Sequence, residues 1–418
     1  MDRRIIFYLV FATVFLLIEI YVYFVFKSMV QNPRYQRILN IVYLAQSLFL
    51  LFAFVKVTQG MMQGIVLRTA TNNFYIGILF SAFVFKLLIS GTMITQDGLR
   101  FLAGIGSYIS GLFTGNQPET FFPDRRKMIT TSVVLISGIP FLGMLYGITK
   151  GKYKFTVKRL SLAFSNLPIK FDGLKVVQIS DIHSGSFDSI SEVEKGIKMI
   201  NDLKPDLILF TGDLVNSLKD EINPYMASFE KLKATYGKYA ILGNHDYYGL
   251  NGIPEEEKDG YWADFMNKYV LMGFKLLKNE HTKIKIEDQE ISLVGVENWG
   301  AGRFFQKYGD IDKSIAGLKA DDFAIMMSHD PTHWSNHIVP HRYNFPLTLS
   351  GHTHGMQFGI DIPGFKWSPV KYRYEHWSGL YEDKGQYLYV NKGFGFLGFP
   401  GRVGMWPEIT MIELKSVG

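Results

Sequence analysis

The chain has 418 residues, 47% of them hydrophobic and 20% charged, a net charge of +6 and no cysteine, which excludes disulfide scaffolds, thiolate zinc sites and iron–sulfur clusters. Residues 1–150 hold 13 Lys and Arg against 5 Asp and Glu, a net of +8, which leaves −2 for residues 151–418. The basic balance therefore belongs to the first third, and the slightly acidic remainder lacks the basic stripe of a nucleic-acid binder.

The first third contains four apolar runs of bilayer-spanning length: Ile5–Phe26, Ile38–Val57, Tyr75–Thr95 and Met128–Ile148. The first is too long for a signal-peptide core and lacks a small-residue cleavage site, so it reads as a retained span. Phe101–Phe113 is apolar but too short to cross, and reads as an interfacial, re-entrant or packing segment. Glu19 and Lys86 fall inside spans, where a lone charge is costly. They could pair across the first and third spans or face a cavity; in the ordinary reading Lys86 snorkels and Glu19 sits near polar backbone. Asn116–Lys127 reads as a polar loop, and Gly147–Lys158 as the hinge into the second part. The expected organisation is an all-α transmembrane domain over residues 1–150 and a second domain over residues 151–418.

In the second part, five short apolar runs bounded by turn residues read as buried strands: 174–180, 206–211, 238–242, 323–328 and 346–350. Each is followed at once by polar residues. They are Asp181 and His183 in DIHSG, Asp213 in TGDLVN, Asn244, His245 and Asp246 in GNHDYYG, His329 in MMSHDP, and His352 and His354 in GHTHGMQ. Strand ends of this kind are where α/β sheets bind ligands. The donor types are oxygen and imidazole nitrogen, a set suited to Mn, Fe, Zn or Mg. Seven ligands drawn from these nine residues would exceed the needs of one ion and suit two ions sharing a carboxylate, the arrangement that hydrolyses phosphate esters. Any one histidine alone would more often cap a loop, and His281, His333, His337, His341 and His376 keep that ordinary reading. Ser191–Glu194 has the form of a capping box opening a helix through about Leu203, and Lys283–Asn298 alternates like a hairpin around Glu287–Gln289.

These blocks, in this order, resemble the calcineurin-like metallophosphoesterase superfamily, over roughly residues 155–415. The tail NKGFGFLGFPGRVGMWPEITMIEL is similar to the closing segment of its membrane-associated bacterial branch. Met356 stands where that branch more often has Gly, and Asn216 stands where purple acid phosphatases carry a tyrosine ligand, so the resemblance stops short of that subclass. It implies an α/β fold of two sheets forming a β-sandwich flanked by helices. It implies that Asp181, His183 and His354 hold one ion, that Asn244, His329 and His352 hold a second, and that Asp213 bridges them. A bridging water of lowered pKa would attack phosphorus, with His245 stabilising charge or protonating the leaving oxygen and Asp246 orienting its ring.

Past His354 the chain is rich in aromatics, which read as core with a share forming an apolar lip or lipid-facing contact. Arg402 is the expected phosphate partner. The expected function is a membrane-anchored hydrolase of phosphoesters or pyrophosphates, on a lipid-linked or nucleotide-type small molecule. The alternative is a non-catalytic sensor or scaffold binding a phosphorylated partner. Four spans put the N-terminus and the enzyme on one side. Basic flanks at Arg3, Arg4 and Lys150–Arg159 favour the cytoplasmic face of a bacterial cell membrane.

Overall fold

The computed structural model describes residues 3–62, 70–114 and 123–417. Its first part consists of the helices α1 (Arg3–Met29), α2 (Pro33–Met62), α3 (Ala70–Thr114) and α4 (Pro123–Thr149). Among the described residues these four are long and apolar enough to cross a membrane. All four extend beyond the runs read from sequence. The largest difference is α3, whose 45 residues include Phe101–Phe113 without a break. No proline interrupts it, and isolated glycines weaken a helix by only about 1 kcal/mol each. At a rise of about 1.5 Å per residue, a helix of that length reaches about twice the thickness of a hydrocarbon core. The Asn116–Lys127 loop is only partly as expected. Residues 115–122 lie outside the described residues, whereas Pro123–Lys127 open α4 with proline at the first helical position, where its missing N–H costs nothing.

Glu19 and Lys86 form a buried ion pair between α1 and α3. Helix α2 completes the cluster. Gln46 Oε1 accepts from Lys86 at 3.0 Å, Ser47 donates to the Glu19 carboxylate at 3.2 Å, and the Tyr43 hydroxyl donates to the Glu19 carbonyl at 2.8 Å. A charge that would be expensive alone in hydrocarbon is thus neutralised and its remaining hydrogen-bonding capacity met within the bundle.

Among the described residues the second part contains fourteen strands, of which twelve form two six-stranded sheets. They are β1 (Thr156–Phe164), β2 (Lys175–Ile179), β3 (Leu207–Phe210), β4 (Lys238–Ala240), β5 (Phe274–Leu276), β6 (Glu280–Ile286) and β7 (Gln289–Gly295), then β8 (Ala324–Met327), β9 (Leu347–Ser350), β10 (Ile360–Ile362), β11 (Phe365–Trp367), β12 (Gly379–Asp383), β13 (Gln386–Val390) and β14 (Glu408–Ser416). One sheet runs β1-β14-β2-β3-β4-β5 and the other β12-β13-β9-β8-β7-β6; β10 and β11 pair only with each other. The strands β2, β3 and β4 are mutually parallel, as are β7, β8 and β9. Parallel neighbours release their C-terminal ends at one edge, so the motif loops leave each sheet together.

The layers follow from side-chain alternation. Val176, Leu207, Leu209 and Ile412 of the first sheet pack with Leu293, Ile325, Met327, Leu347 and Leu349 of the second. The outer face of the first sheet packs on Val193, Ile197 and Ile200 of helix Ile190–Asp202 and on Phe265 and Tyr269 of helix Glu255–Leu271. The outer face of the second covers Trp334 and Ile338. This is a β-sandwich flanked by helices. The five strands read from the apolar runs are present, each shorter by one or two residues. The hairpin around Glu287 is β6–β7. The helix cap differs: Ser189, not Ser191, is the N-cap, its hydroxyl accepting from Glu192 N at 3.4 Å. The same Ser-x-x-Glu spacing occurs two residues earlier, and Ser189 has the extended backbone a cap needs.

Candidate metal centre

Two groups of side chains meet beyond the strand ends: Asp181, His183 and His354, and Asp213, His329 and His352. Within each, the candidate ligand atoms lie within 4.8 Å of one another. His183 Nε2 is 3.0 Å from His354 Nε2, and both face Asp181 Oδ1, at 3.9 and 3.2 Å. Asp213 Oδ2 stands between the groups, 3.4 Å from His183 Nε2 and 3.2 Å from His329 Nε2. Asn244 Oδ1 reaches His352 Nδ1 at 2.9 Å. All seven side chains except the partly covered His352 are buried.

Several of these groups are oriented from behind. His329 Nδ1 donates to the Thr211 carbonyl at 2.7 Å, which turns Nε2 inward, buried and facing Asp213. His352 Nε2 meets the Tyr374 hydroxyl at 2.8 Å, which leaves Nδ1 facing Asn244. The Asn244 amide nitrogen donates to Tyr248 at 3.2 Å, turning its oxygen inward. Outer partners of this kind fix tautomers in metal sites. His183 is the exception, since its Nδ1 is buried without a partner. Buried inward ring nitrogens beside carboxylates fit divalent cations and fit no neutral packing role.

Electrostatics separate the histidines. Burial lowers His183 well below the ordinary imidazole value and also lowers His352, favouring the neutral form that can ligate. Burial alone would lower His329 as well, but the Asp213 carboxylate outweighs it and lifts that ring to about 10, favouring a charged ring paired with Asp213.

The backbone is unusual at these positions. Five of the seven residues, Asp181, His183, Asp213, His352 and His354, have φ between 44° and 70°. Non-glycine residues rarely adopt this left-handed region, and persistence there marks over-determined, functional geometry. Close approach is built in by glycine. A Cβ on Gly243 would stand 2.2 Å from Asp213 Oδ1, and one on Gly351 would stand 2.3 Å from Asp181 Oδ2.

Residues 3–152 match the family model described as a probable calcineurin-like phosphoesterase transmembrane domain, and residues 174–356 match the calcineurin-like phosphoesterase model. The Bacillus subtilis protein named uncharacterized metallophosphoesterase YkuE is 30% identical over 256 residues, covering 60% of this chain and 82% of that relative. The chain belongs to the calcineurin-like metallophosphoesterases. The Danio rerio protein named transmembrane protein with metallophosphoesterase domain is 30% identical across 65% of this chain, a match spanning 60% of that relative's length. An uncharacterized metallophosphoesterase of Helicobacter pylori strain J99 is 26% identical over 84% of this chain and 92% of its own. With four apolar helices and a matching transmembrane family model, this metallophosphoesterase is a membrane protein. Its family and its two His/Asp groups support divalent metal ions.

Two residues in this metallophosphoesterase depart from the sequence reading. Asp246 does not orient His245. Its carboxylate accepts backbone N–H groups from Gly243 at 2.9 Å, Asp213 at 3.0 Å and Leu214 at 2.8 Å, stitching together the loops after β3 and β4. Burial, and then the charge of Asp213, push this carboxyl up to about 7 against the pull of those donors. His245 is held instead by Asn216, whose carbonyl lies 2.7 Å from Nδ1, with the ring edge-on to His183 at 4.9 Å. Arg402 is not a phosphate partner. It is wholly buried, and its guanidinium donates to the carbonyls of Gly395, Met405 and Lys392 at 2.6 to 3.0 Å. Its Nη2 also lies 3.2 Å from His354 Nδ1, so it braces the loop behind a candidate ligand.

The remaining histidines have partners outside the centre. His281 meets the Ser314 carbonyl, His333 meets the Ser328 hydroxyl, and His341 faces Asp312. His337 packs on Trp299 and His376 on Trp334. Sequence reading missed Asn216, Tyr248 and Tyr374. Asn216 acts through its backbone, so its side-chain type carries no signal. Tyr248 follows GNHD by two residues, and that proximity was the available clue.

Asp246→Asn removes one of two acceptor oxygens serving these N–H groups. Thermal unfolding in the presence of a chelator is expected to show a loss of about 1–3 kcal/mol, independent of metal. Unchanged unfolding with only turnover reduced would return Asp246 to an orienting role for His245.

Proposed function

We propose that this protein is a dinuclear-metal phosphohydrolase, divided near residue 150 into a membrane domain and a catalytic domain, that cleaves phosphoester or pyrophosphate bonds. The observation carrying this reading is the convergence of inward ring nitrogens on both sides of one buried carboxylate, Asp213. In the proposed assignment, Asp181, His183 and His354 hold one ion. Asn244, His329 and His352 hold the other, and Asp213 serves both. Two ions of Mn, Fe or Zn, or Mg, would supply positive charge to phosphoryl oxygens and lower the pKa of an attacking water.

The chain's own contribution beyond holding the ions is proton transfer and shielding. His245 has Nδ1 engaged by the Asn216 carbonyl, which leaves Nε2 to carry the proton given to the leaving oxygen. Tyr248 and Phe305 wall the site edge-on to His245 and His352, with ring centroids at 4.7 and 5.0 Å. No observation favours the non-catalytic scaffold, since every candidate ligand position is filled.

Purified full-length protein with Mn²⁺ is expected to hydrolyse an aryl phosphodiester. His245→Ala should retain its metals and turn over about 10²- to 10⁴-fold more slowly. Absence of hydrolysis by the unaltered protein across Mn, Fe and Zn would overturn the enzyme reading; loss of metal from His245→Ala would overturn the division of roles.

We also place the catalytic domain on the cytoplasmic side, because four helices return the chain to the side of its N-terminus and Lys150–Arg159 follow the last of them. A C-terminal reporter that fluoresces only in the cytoplasm should light up. Dark fusions, with an active periplasmic phosphatase at the same junction, would contradict this placement.

A further inference from the structure

Between His354, a candidate ligand, and Tyr374, which holds His352, the chain makes the isolated hairpin β10–β11. Its register pairs Ile360 with Trp367, Asp361 with Lys366 and Ile362 with Phe365. Alternation therefore sorts the residues by face. Of the polar pair, Asp361 turns inward, while Lys366 is exposed along its stem and turns back only its ammonium tip. Asp361 meets Lys392 at 2.5 Å and Lys158 at 3.6 Å, and Lys366 donates to the Ser378 carbonyl at 2.6 Å. The other face carries Ile360, Ile362, Phe365 and Trp367. Ile362 is 57% exposed and Phe365 53%, and Tyr372 and Met356 nearby are 76% and 55% exposed. A soluble hairpin shows the opposite sorting, with its charges outward. This one presents bulky apolar side chains to its surroundings and calls for an apolar cover.

The protein supplies three indications of what that cover is. The hairpin base is bonded to the strip around Val403, through Gly359 N to the Val403 carbonyl at 2.9 Å and Val403 N to the Gln357 carbonyl at 2.8 Å. The neighbouring Arg402 N faces the carbonyl of Gly147, in the last turn of α4, at 3.4 Å. The exposed cations Lys371 and Arg373 follow the hairpin in the chain, and the exposed Lys150 follows α4. The composition of the apolar face also mixes Trp and Tyr with Ile and Phe, and that mixture beside Lys and Arg suits the boundary between headgroups and acyl chains.

We propose that β10–β11 docks into the surface of the bilayer that α1–α4 cross, with Ile360, Ile362, Phe365 and Trp367 in the headgroup–acyl boundary. The hairpin is continuous with the loop carrying His354, and Ser368 at its end donates to the Gly355 carbonyl at 2.8 Å. Docking there brings the metal centre to the membrane surface and favours phosphoesters borne on membrane-embedded amphiphiles over those free in water. This consequence for substrate rests on the phosphohydrolase reading; the docking itself does not.

The chain has no cysteine, so a single introduced one labels uniquely. Full-length Ile362→Cys and Phe365→Cys, each carrying an environment-sensitive fluorophore, are placed in nanodiscs of phosphatidylcholine and phosphatidylglycerol containing doxyl-labelled chains. Lys198→Cys on the exposed face of helix Ile190–Asp202 is the control. Labels at 362 and 365 should shift to the blue and be quenched several-fold more than the label at 198. Quenching equal to the control overturns the proposal, and so does a blue shift without doxyl quenching, which would signify a protein cover. In the second arm, Ile362→Ser/Phe365→Ser should hydrolyse hexadecyl p-nitrophenyl phosphate in nanodiscs at least ten-fold more slowly, with bis(p-nitrophenyl) phosphate turnover unchanged. Equal loss on both substrates overturns the presentation of embedded substrate. Absence of turnover on either by the unaltered protein overturns the phosphohydrolase reading, while the quenching result still decides docking.

Discussion

The phosphoesterase-family part of the chain depends on one buried carboxylate. Asp213 is almost wholly enclosed, faces imidazoles from two loops and accepts His245 N at 2.8 Å. A carboxylate so placed is expensive unless positive charge is delivered to it. Everything around it holds donors in position for that delivery. The strands stop short, and the loops beyond them bond to one another: Asp181 N to the Gly212 carbonyl, His183 N to the Asp213 carbonyl, and His352 N to the Asp181 carboxylate. Asp246 and Arg402 brace the rim from outside. The left-handed backbone at five of the seven candidate ligands costs roughly 1 kcal/mol or more apiece, and this cross-bonding sustains it.

The sequence made the donors legible because each sits directly after an apolar run, and a parallel sheet places such positions at one edge. It made the sandwich legible for the same reason. It did not reveal how the donors are oriented. Asn216 holds His245 through a backbone carbonyl, which no side-chain pattern reports. Asp246 follows His245 in the chain, yet its side chain turns back toward the strands. Arg402 read as a free cation because burial is invisible in a glycine- and phenylalanine-rich tail. Met356 is instructive: it adopts φ 54°, a conformation glycine takes at no cost, which accounts for glycine being the commoner residue there.

In the membrane part, apolar length located the helices and missed their ends. Phe101–Phe113 read as a separate segment because it is too short to cross alone, but helical hydrogen bonding continues through it because no proline removes a donor. Glu19 and Lys86 were recognisable as partners. The contributions of Gln46, Ser47 and Tyr43 were not, since polar uncharged residues in a span give no sign of whom they meet. The β10–β11 hairpin shows the reverse case: alternation identifies its two faces, and only the pairing with Lys392, Lys158 and Ser378 tells which one is inward.

The central claim is that Asp213 is shared by two ions. Metal analysis of purified protein, by mass spectrometry after dialysis against metal-free buffer, measures it directly. The account predicts about two ions per chain in the unaltered protein and loss of most of both in Asp213→Ala, because each ion loses the same anionic ligand. Two ions retained in Asp213→Ala, or the loss of one alone, would contradict it.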